Sequence, residues 1–329
     1  MKEFIKINEL ETIVFNFCYS LGYSKNEAIS ICENVIEAEL RGKYTHGLWR
    51  LLIHKSHIAK TGKPSELSIE FKKVTHNSML VDGKQRTGYH VMNKALDIAI
   101  KNCKTYGIYT FSLTNTAPSL GIVGLYANKV TSEDLIYIGF SNSEGGLIPF
   151  SSKKDIFGTN PITIGVPTKK SPIIADMSSS ILNWGDVYLR DKDNKKLPPK
   201  VALDKEGNFT ENPKDVLNGG GLLPLGGNKG SSLAFIIEII AGVLTSSRAG
   251  QSLHGGWGNL SILLNPSIFI DINEFKDNIE KFIIDYKETP SYLSDLFYPG
   301  EQSFFTREKN IKLGSIQVDS NLLKQLKNN

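Results

Sequence analysis

The chain has 329 residues, 40% hydrophobic and 22% charged, which excludes a fibre or a disordered tract. At roughly 150 residues per domain the length suggests two domains, or one large domain with an appendage. Lys+Arg at 38 against Asp+Glu at 34 leaves a formal charge of +4, too small an excess to argue for nucleic-acid binding, and three widely spaced cysteines, Cys18, Cys32 and Cys103, make neither a disulfide framework nor a CxxC zinc site and fit a reducing compartment.

Met1 to Leu10 mixes charged and apolar residues without an unbroken apolar core, so no export signal is read there. The first 60 residues read as helical. Asn8 can cap a helix carrying Leu10, Ile13, Val14, Phe17 and Cys18. Ser24 with Glu27 forms a capping box that opens a second helix, with Ala28, Ile31, Val35 and Leu40 inward and Gly42 as its stop. Thr45 can cap a third helix through Leu51 to Ile53, ending near Gly62. From Ser68 the period shortens. Strands are expected at Ser78–Val81, Ile108–Leu113, Leu135–Ser141, Pro161–Val166, Ile173–Asp176 and Leu260–Leu264. Helices are expected at Val91–Tyr106 and Gly121–Val130, which gives a mixed α/β body. Residues 186–222 read as an exposed polar excursion, and Ser231–Ser246 as a buried helix. Its most apolar stretch, Leu233–Leu244, is broken by Glu238 and falls short of the ~20 residues a bilayer requires. The tail from Ile270 is helical again. A cytoplasmic protein without a membrane span is expected.

The usual nucleotide signals are absent: no GxGxxG follows a strand. Leu225 to Ser231, with three glycines and Lys229, fails the phosphate-loop spacing. It still reads as a turn that opens an apolar helix and offers backbone N–H groups and a cation to an anion, or as a plain helix start. His46, in Arg41-Gly42-Lys43-Tyr44-Thr45-His46-Gly47, lies at an expected helix start, where the helix dipole disfavours imidazolium. It can exchange a proton, or simply pack. Arg50, four residues on, can hold a carboxylate or lie on the surface. His54 and His57 lack a third ligand and read as surface residues, and no metal site is expected. His76, His90 and His254 have no partner by spacing. Phe157–Ile162 precedes a strand and Asp176–Ser180 ends one. Small hydroxyl residues at strand ends face ligands in many α/β proteins, and also serve plain turns.

Five blocks in order make the chain recognisable. They are Thr45-His46-Gly47-Leu48-Trp49-Arg50, Gly158-Thr159-Asn160-Pro161, Asp176-Met177-Ser178-Ser179-Ser180, Pro224–Gly230 and Pro299-Gly300-Glu301. Together they resemble the malate/L-lactate dehydrogenase family of the second type, which includes 2,3-diketo-L-gulonate reductase, ureidoglycolate dehydrogenase and Δ1-piperideine-2-carboxylate reductase. The resemblance implies a non-Rossmann NAD(P)-binding α/β domain of mixed sheet, with a helical N-terminal region joined by the C-terminal helices. It divides the chain into a helical region at 1–75 carrying the catalytic histidine, a cofactor and substrate body at 76–265, and a C-terminal helical segment at 266–329. It implies a homodimer, a small carboxylate-bearing substrate, and hydride transfer between NAD or NADP and a carbon next to that carboxylate. His46 is then the proton donor or acceptor, Arg50 the carboxylate clamp, with Ser119 and Thr159 beside the substrate. Cofactor contacts fall on Ser143, Asp176, Met177, Ser178, Asn228, Lys229, Gly300 and Glu301.

Two departures matter. Many members of the family carry a second histidine where this chain has Ser119, which loads the proton role onto His46. The family often has Lys after Gly185, where this chain has Asp186. An acid there resembles the cyclic-imine reductases, in which it is a proposed proton donor, and a solvated carboxylate is the plain alternative. Three functions follow: a 2-oxo- or diketo-acid reductase, reversible as a 2-hydroxy-acid dehydrogenase; a cyclic imino-acid reductase using Asp186; and a catalytically inactive cofactor-binding protein. The Lys169-Lys170 run can meet the 2′-phosphate of NADP or be a solvated turn.

Overall fold

A computed structural model describes residues 2–253, 256–292 and 295–327, so His254 lies outside the described residues. The chain opens with a strand, β1 (Lys2–Lys6), then α1 (Ile7–Ser20), α2 (Lys25–Leu40) and α3 (Arg50–Thr61). The capping box forms: the Glu27 carboxylate accepts the Ser24 N–H at 3.2 Å and its hydroxyl at 2.6 Å. The body contains β2 (Glu70–Thr75), β3 (Ser78–Asp82), α4 (Gly88–Tyr106), β4 (Ile108–Thr116), α5 (Val123–Thr131), β5 (Ile136–Ser141), β6 (Ile162–Val166) and β7 (Ile173–Met177). It continues through α6 (Trp184–Lys192), β8 (Ala202–Leu203), α7 (Pro213–Leu217), β9 (Gly221–Leu222), α8 (Asn228–Ile237) and β10 (Trp257–Leu264). The chain closes with α9 (Ile272–Glu288), α10 (Glu301–Leu313), β11 (Ser315–Asp319) and α11 (Ser320–Lys327).

Seven strands form the central sheet in the order β2-β3-β4-β10-β5-β6-β7. Only β3 against β4 is parallel. The other pairs run antiparallel, so the sheet is not built from the successive parallel βαβ units that carry a GxGxxG turn. Val91, Leu96 and Ala99 of α4 and Tyr126 and Val130 of α5 pack with Phe111, Leu113 and Tyr137 of the sheet in one buried cluster. A second cluster joins the two chain ends. Leu10, Val14 and Phe17 of α1 and Ile31 and Val35 of α2 pack with Ile316, Val318, Leu322 and Leu326, and β1 pairs antiparallel with β11. The chain is therefore a mixed α/β fold whose N-terminal helices are joined by its C-terminal elements.

The structure corrects four expectations. The excursion at 186–222 is a folded lobe: α6, α7 and the β8–β9 hairpin enclose Val187, Leu197, Val201, Val216 and Leu222. At about 1.5–3 kcal/mol for each large apolar side chain buried, packing holds this lobe beneath its charged rim. The helix expected over Ser231–Ser246 buries Ala234, Ile237 and Ala241 but leaves Phe235, Ile236, Ile239, Val243 and Leu244 exposed. A helix apolar all round reads as buried, yet this chain covers only one of its faces. The stretch Glu238–Val243 is also wound as a π-helix. The break at Glu238 has a structural reason, because its carboxylate accepts from Gly250 N–H at 2.8 Å and from Asn160 Nδ2 at 2.7 Å. The third helix begins at Arg50, not at Thr45, after a short 3-10 turn over Tyr44–His46. Finally, His54 is fully buried rather than superficial. Its Nδ1 meets the Tyr23 hydroxyl at 2.8 Å.

Candidate active site

A cavity of about 520 Å³ opens where the Tyr44–His46 turn, the loop at 118–123, the end of β5, the 159–161 segment and the start of α6 converge. His46, Arg50, Ser119, Ser143, Thr159, Asp176 and Ser178 all line it. These seven expected site residues come from positions 46 to 178.

His46 ends the 3-10 turn and is half-buried. Its Nδ1 shares a hydrogen bond of 2.9 Å with Thr45 Oγ1, which leaves Nε2 for a ligand. The imidazole pKa is pushed down to about 3, first by burial and then by the Arg50 and Lys43 charges. The helix dipole inferred from sequence is not the cause, since His46 precedes α3 by several residues. The ring is neutral at any ordinary pH. Glu39 shapes this turn from beneath. Its carboxylate accepts the Leu48 N–H at 2.7 Å, and a Cβ at Gly47 would meet Glu39 Oε1 at 2.0 Å, so a side chain there would have to displace that carboxylate. Sequence reasoning missed Glu39. The available signal was an acid set among Val35, Ile36, Ala38 and Leu40.

Arg50 is the first residue of α3, and its Nε donates to the Thr45 carbonyl at 3.1 Å. Burial pushes its pKa down, and no carboxylate pairs with it among the described residues. A guanidinium withdrawn from water without an acid is completed by an anionic ligand. Ser119, buried on the opposite loop, accepts the Gly121 N–H at 3.0 Å. Trp184, Tyr188 and Trp257 also line the cavity and were missed from sequence, because single aromatics carry no spacing signal.

Met177, Asn228, Lys229, Gly300 and Glu301 do not line this cavity. Asp176, which lines the cavity, is exposed there, and its carboxylate accepts the Gly124 N–H at 2.9 Å and the Thr163 hydroxyl at 2.8 Å. Burial pushes its pKa up. Met177 is exposed beside it. Asn228 and Lys229 open α8 and are exposed, and Lys229 has no ion-pair partner among the described residues. The turn before them is tied to the end of β7, since Leu225 N–H donates to the Ser179 carbonyl at 2.9 Å. The block at 299–301 meets the same strand, with Ile174 N–H donating to the Pro299 carbonyl at 3.0 Å. Gly300 has a φ of +89°, and Glu301 is ion-paired with Lys287. Three sequence blocks, at 176–180, 224–230 and 299–301, thus gather around β7. Lys169 is ion-paired with Asp277.

Asp186 sits in the first turn of α6, half-buried, and does not line the cavity. It serves a capping box: its N–H donates to Asn183 Oδ1 at 3.0 Å, and its carboxylate accepts the Asn183 N–H at 3.4 Å. The preceding Gly185 presses on the histidine turn, because a Cβ there would meet Thr45 Cβ at 2.4 Å. Among the described residues no cluster of three or more His, Cys, Asp or Glu is placed to hold a metal ion, and no helix is long and apolar enough to cross a membrane.

Comparison with known proteins gives the family. The model of the malate/L-lactate dehydrogenase family matches residues 5–327. The chain is 31% identical to the malate/(S)-sulfolactate dehydrogenase of Methanothermus fervidus, covering 98% of this chain and 96% of that protein. It is 26% identical to a Δ1-pyrroline-2-carboxylate/Δ1-piperideine-2-carboxylate reductase of Pseudomonas putida, over 92% and 90% of the two. In fold it is similar to the crystal structure of malate dehydrogenase from Entamoeba histolytica, with a TM-score of 0.93 at 23% identity over 100% and 97% of the chains. The chain belongs to the malate/L-lactate dehydrogenase family and is an NAD(P)-dependent dehydrogenase or reductase.

Proposed function

We propose that this chain reduces a 2-oxo or diketo acid to the 2-hydroxy acid, reversibly. The observation that carries this reading is one cavity holding both a neutral His46 and an Arg50 without an acid partner. Arg50 grips the substrate carboxylate by paired charged hydrogen bonds. His46 Nε2 takes the hydroxyl proton in oxidation and returns it in reduction. A carboxylate on Arg50 also offsets one of the two cations that depress His46, so the imidazole gains proton affinity once substrate is bound. Ser119 and Thr159 flank the substrate.

NAD or NADP, when bound, supplies the hydride. The chain's fit to it rests on Ser143, Asp176 and Ser178 in the cleft, and on Met177, Asn228, Lys229, Gly300 and Glu301 around β7. The exposed Lys229 in the first turn of α8, which has no ion-pair partner among the described residues, suits a phosphate. The exposed face of Phe235, Ile236, Ile239, Val243 and Leu244 supports a homodimer.

A second reading, cyclic imino-acid reduction with Asp186 as proton donor, is supported by the 26% identity to the Δ1-pyrroline-2-carboxylate/Δ1-piperideine-2-carboxylate reductase of Pseudomonas putida. The deciding experiment is a panel of 2-oxo acids and cyclic imines assayed with both reduced cofactors. Oxo-acid turnover that is lost in Arg50→Gln supports the first reading. Turnover of imines alone overturns it, and cofactor binding without any turnover indicates an inactive binding protein.

A further inference from the structure

The segment that brings Thr159 and Pro161 to the cavity is held from behind by a carboxylate that no step above uses. Asn160, between them, is completely buried and has a φ of +35°, a left-handed backbone that Asn tolerates better than most side chains. Its amide keeps it there. Nδ2 carries two hydrogens. One goes to the Ala234 carbonyl at 3.0 Å and the other to Glu238 Oε2 at 2.7 Å. A carbonyl and a carboxylate only accept, so the amide nitrogen is the end that faces them. Glu238 is itself buried, and its other oxygen accepts the Gly250 N–H at 2.8 Å. No cation pairs with it among the described residues. A buried carboxylate without a cation is costly, and here its hydrogen bonds go to two N–H groups, one of them in the cavity wall.

From Asn160 the bonds run on to the cavity. The Asn160 carbonyl accepts the Ser179 hydroxyl at 2.7 Å. The Thr159 carbonyl accepts the Ser179 N–H at 2.8 Å, and the Pro161 carbonyl accepts the Ser141 N–H at 3.2 Å. The backbone is thereby fixed on both sides of Asn160, and Thr159, Pro161, Ser141 and Ser178 all line the cavity. The Thr159 hydroxyl makes no hydrogen bond to the chain among the described residues, which leaves it for a ligand. Glu238 also marks the point where α8 passes into the π-helical stretch Glu238–Val243, a winding that is frequent at functional sites.

We propose that Glu238 is a positioning residue for this site: through Asn160 it clamps the 159–161 segment and so sets the Thr159 hydroxyl against the bound substrate. This rests on reading the cavity as a site for 2-oxo acids. Glu238 does not line the cavity and acts only through the segment it holds; the proton still comes from His46.

The test is a double-mutant cycle of Glu238→Met, Thr159→Val and the pair, read as KM for oxaloacetate at saturating reduced cofactor. Methionine keeps the length of the side chain and removes both acceptors. Each single variant should raise KM by about tenfold, the upper worth of one hydrogen bond. The pair should match either single within about twofold, because both changes remove the same contact. KM for the reduced cofactor should stay at its wild-type value. A wild-type oxaloacetate KM in Glu238→Met, losses that multiply in the pair, or an equal rise in the cofactor KM overturns the proposal. Hydrogen exchange needs no turnover and judges the clamp by itself. The Ser179 N–H should exchange about tenfold faster in Glu238→Met, and unchanged protection there overturns the clamp. If Glu238→Met does not fold, Asn160→Gly keeps the left-handed backbone without the amide and carries the same expectations. A wild-type enzyme that reduces cyclic imines but not oxaloacetate sinks the 2-oxo-acid reading, while the exchange measurement still judges Glu238.

Discussion

The two flanks of the cleft treat charge in opposite ways. On the flank built by the 44–46 turn and α3, His46 and Arg50 are drawn out of water, and no carboxylate among the described residues answers either of them. On the flank built by α6, Asp186 is tied into a helix cap. The charges that follow it meet partners at the surface: Lys192 pairs with Asp319 at 2.8 Å, and Lys195 with Asp193 at 3.1 Å. His46 is neutral there, so the uncompensated charge is the Arg50 guanidinium, and an anionic ligand is what would complete that flank. The second is explained by the fold alone. Uncompensated burial, rather than a charged residue near a cleft, separates chemistry from architecture here.

The largest expected effect breaks the first flank at its proton. His46→Ala should lower kcat by about 10²–10⁴-fold while leaving cofactor affinity nearly intact, measured by steady-state kinetics beside a nicotinamide fluorescence titration. Wild-type turnover would remove His46 from the mechanism. Arg50→Gln comes next. Two charged hydrogen bonds to a carboxylate are lost, so KM for an oxo acid should rise by about 10²-fold, and an unchanged KM would place the substrate carboxylate elsewhere.

Glu39, beneath the histidine turn, gives a stability prediction. Burial pushes its carboxyl up to about 7 from an ordinary 4.5, so the folded state favours the protonated form. Its contribution to stability is complete below about pH 4.5 and is lost as pH rises through about 7, roughly 3 kcal/mol in all. His46 and His54, both held at about 3, act oppositely, and their contribution is lost as pH falls below 6.5. Urea unfolding of wild type and Glu39→Gln at pH 5, 6 and 8 isolates the first slope. The variant should lack the decline toward pH 8, and parallel profiles would contradict it. The smallest effect belongs to Lys229→Ala, at about a tenfold loss of cofactor affinity that weakens with salt. Equal affinity across a salt series would leave Lys229 a solvated turn residue.

Much of this site was legible because its chemistry is local. His46, Gly47 and Arg50 fall within five residues, and the blocks at 158–161 and 176–180 abut strands whose alternation is plain. The fold-level surprises are long-range. Nothing near Lys2–Lys6 says that it pairs with Ser315–Asp319, and nothing in Ser231–Ser246 says that one apolar face is left uncovered by its own chain. His54 was misread because a lone histidine three residues from another carries no burial signal. Only the tertiary contact with Tyr23 and Tyr89 reveals it. Glu39 acts through the Leu48 backbone N–H rather than by spacing, so no motif contains it.

The contrast between the flanks is tested most directly by assaying His46→Ala and Asp186→Asn side by side, on one 2-oxo acid and one cyclic imine, with the same reduced cofactor. The account predicts that His46→Ala loses about 10²–10⁴-fold in oxo-acid turnover, while Asp186→Asn keeps oxo-acid turnover near the wild-type value. An Asp186→Asn enzyme that loses oxo-acid reduction as severely as His46→Ala, or a His46→Ala enzyme that retains it, would contradict the account.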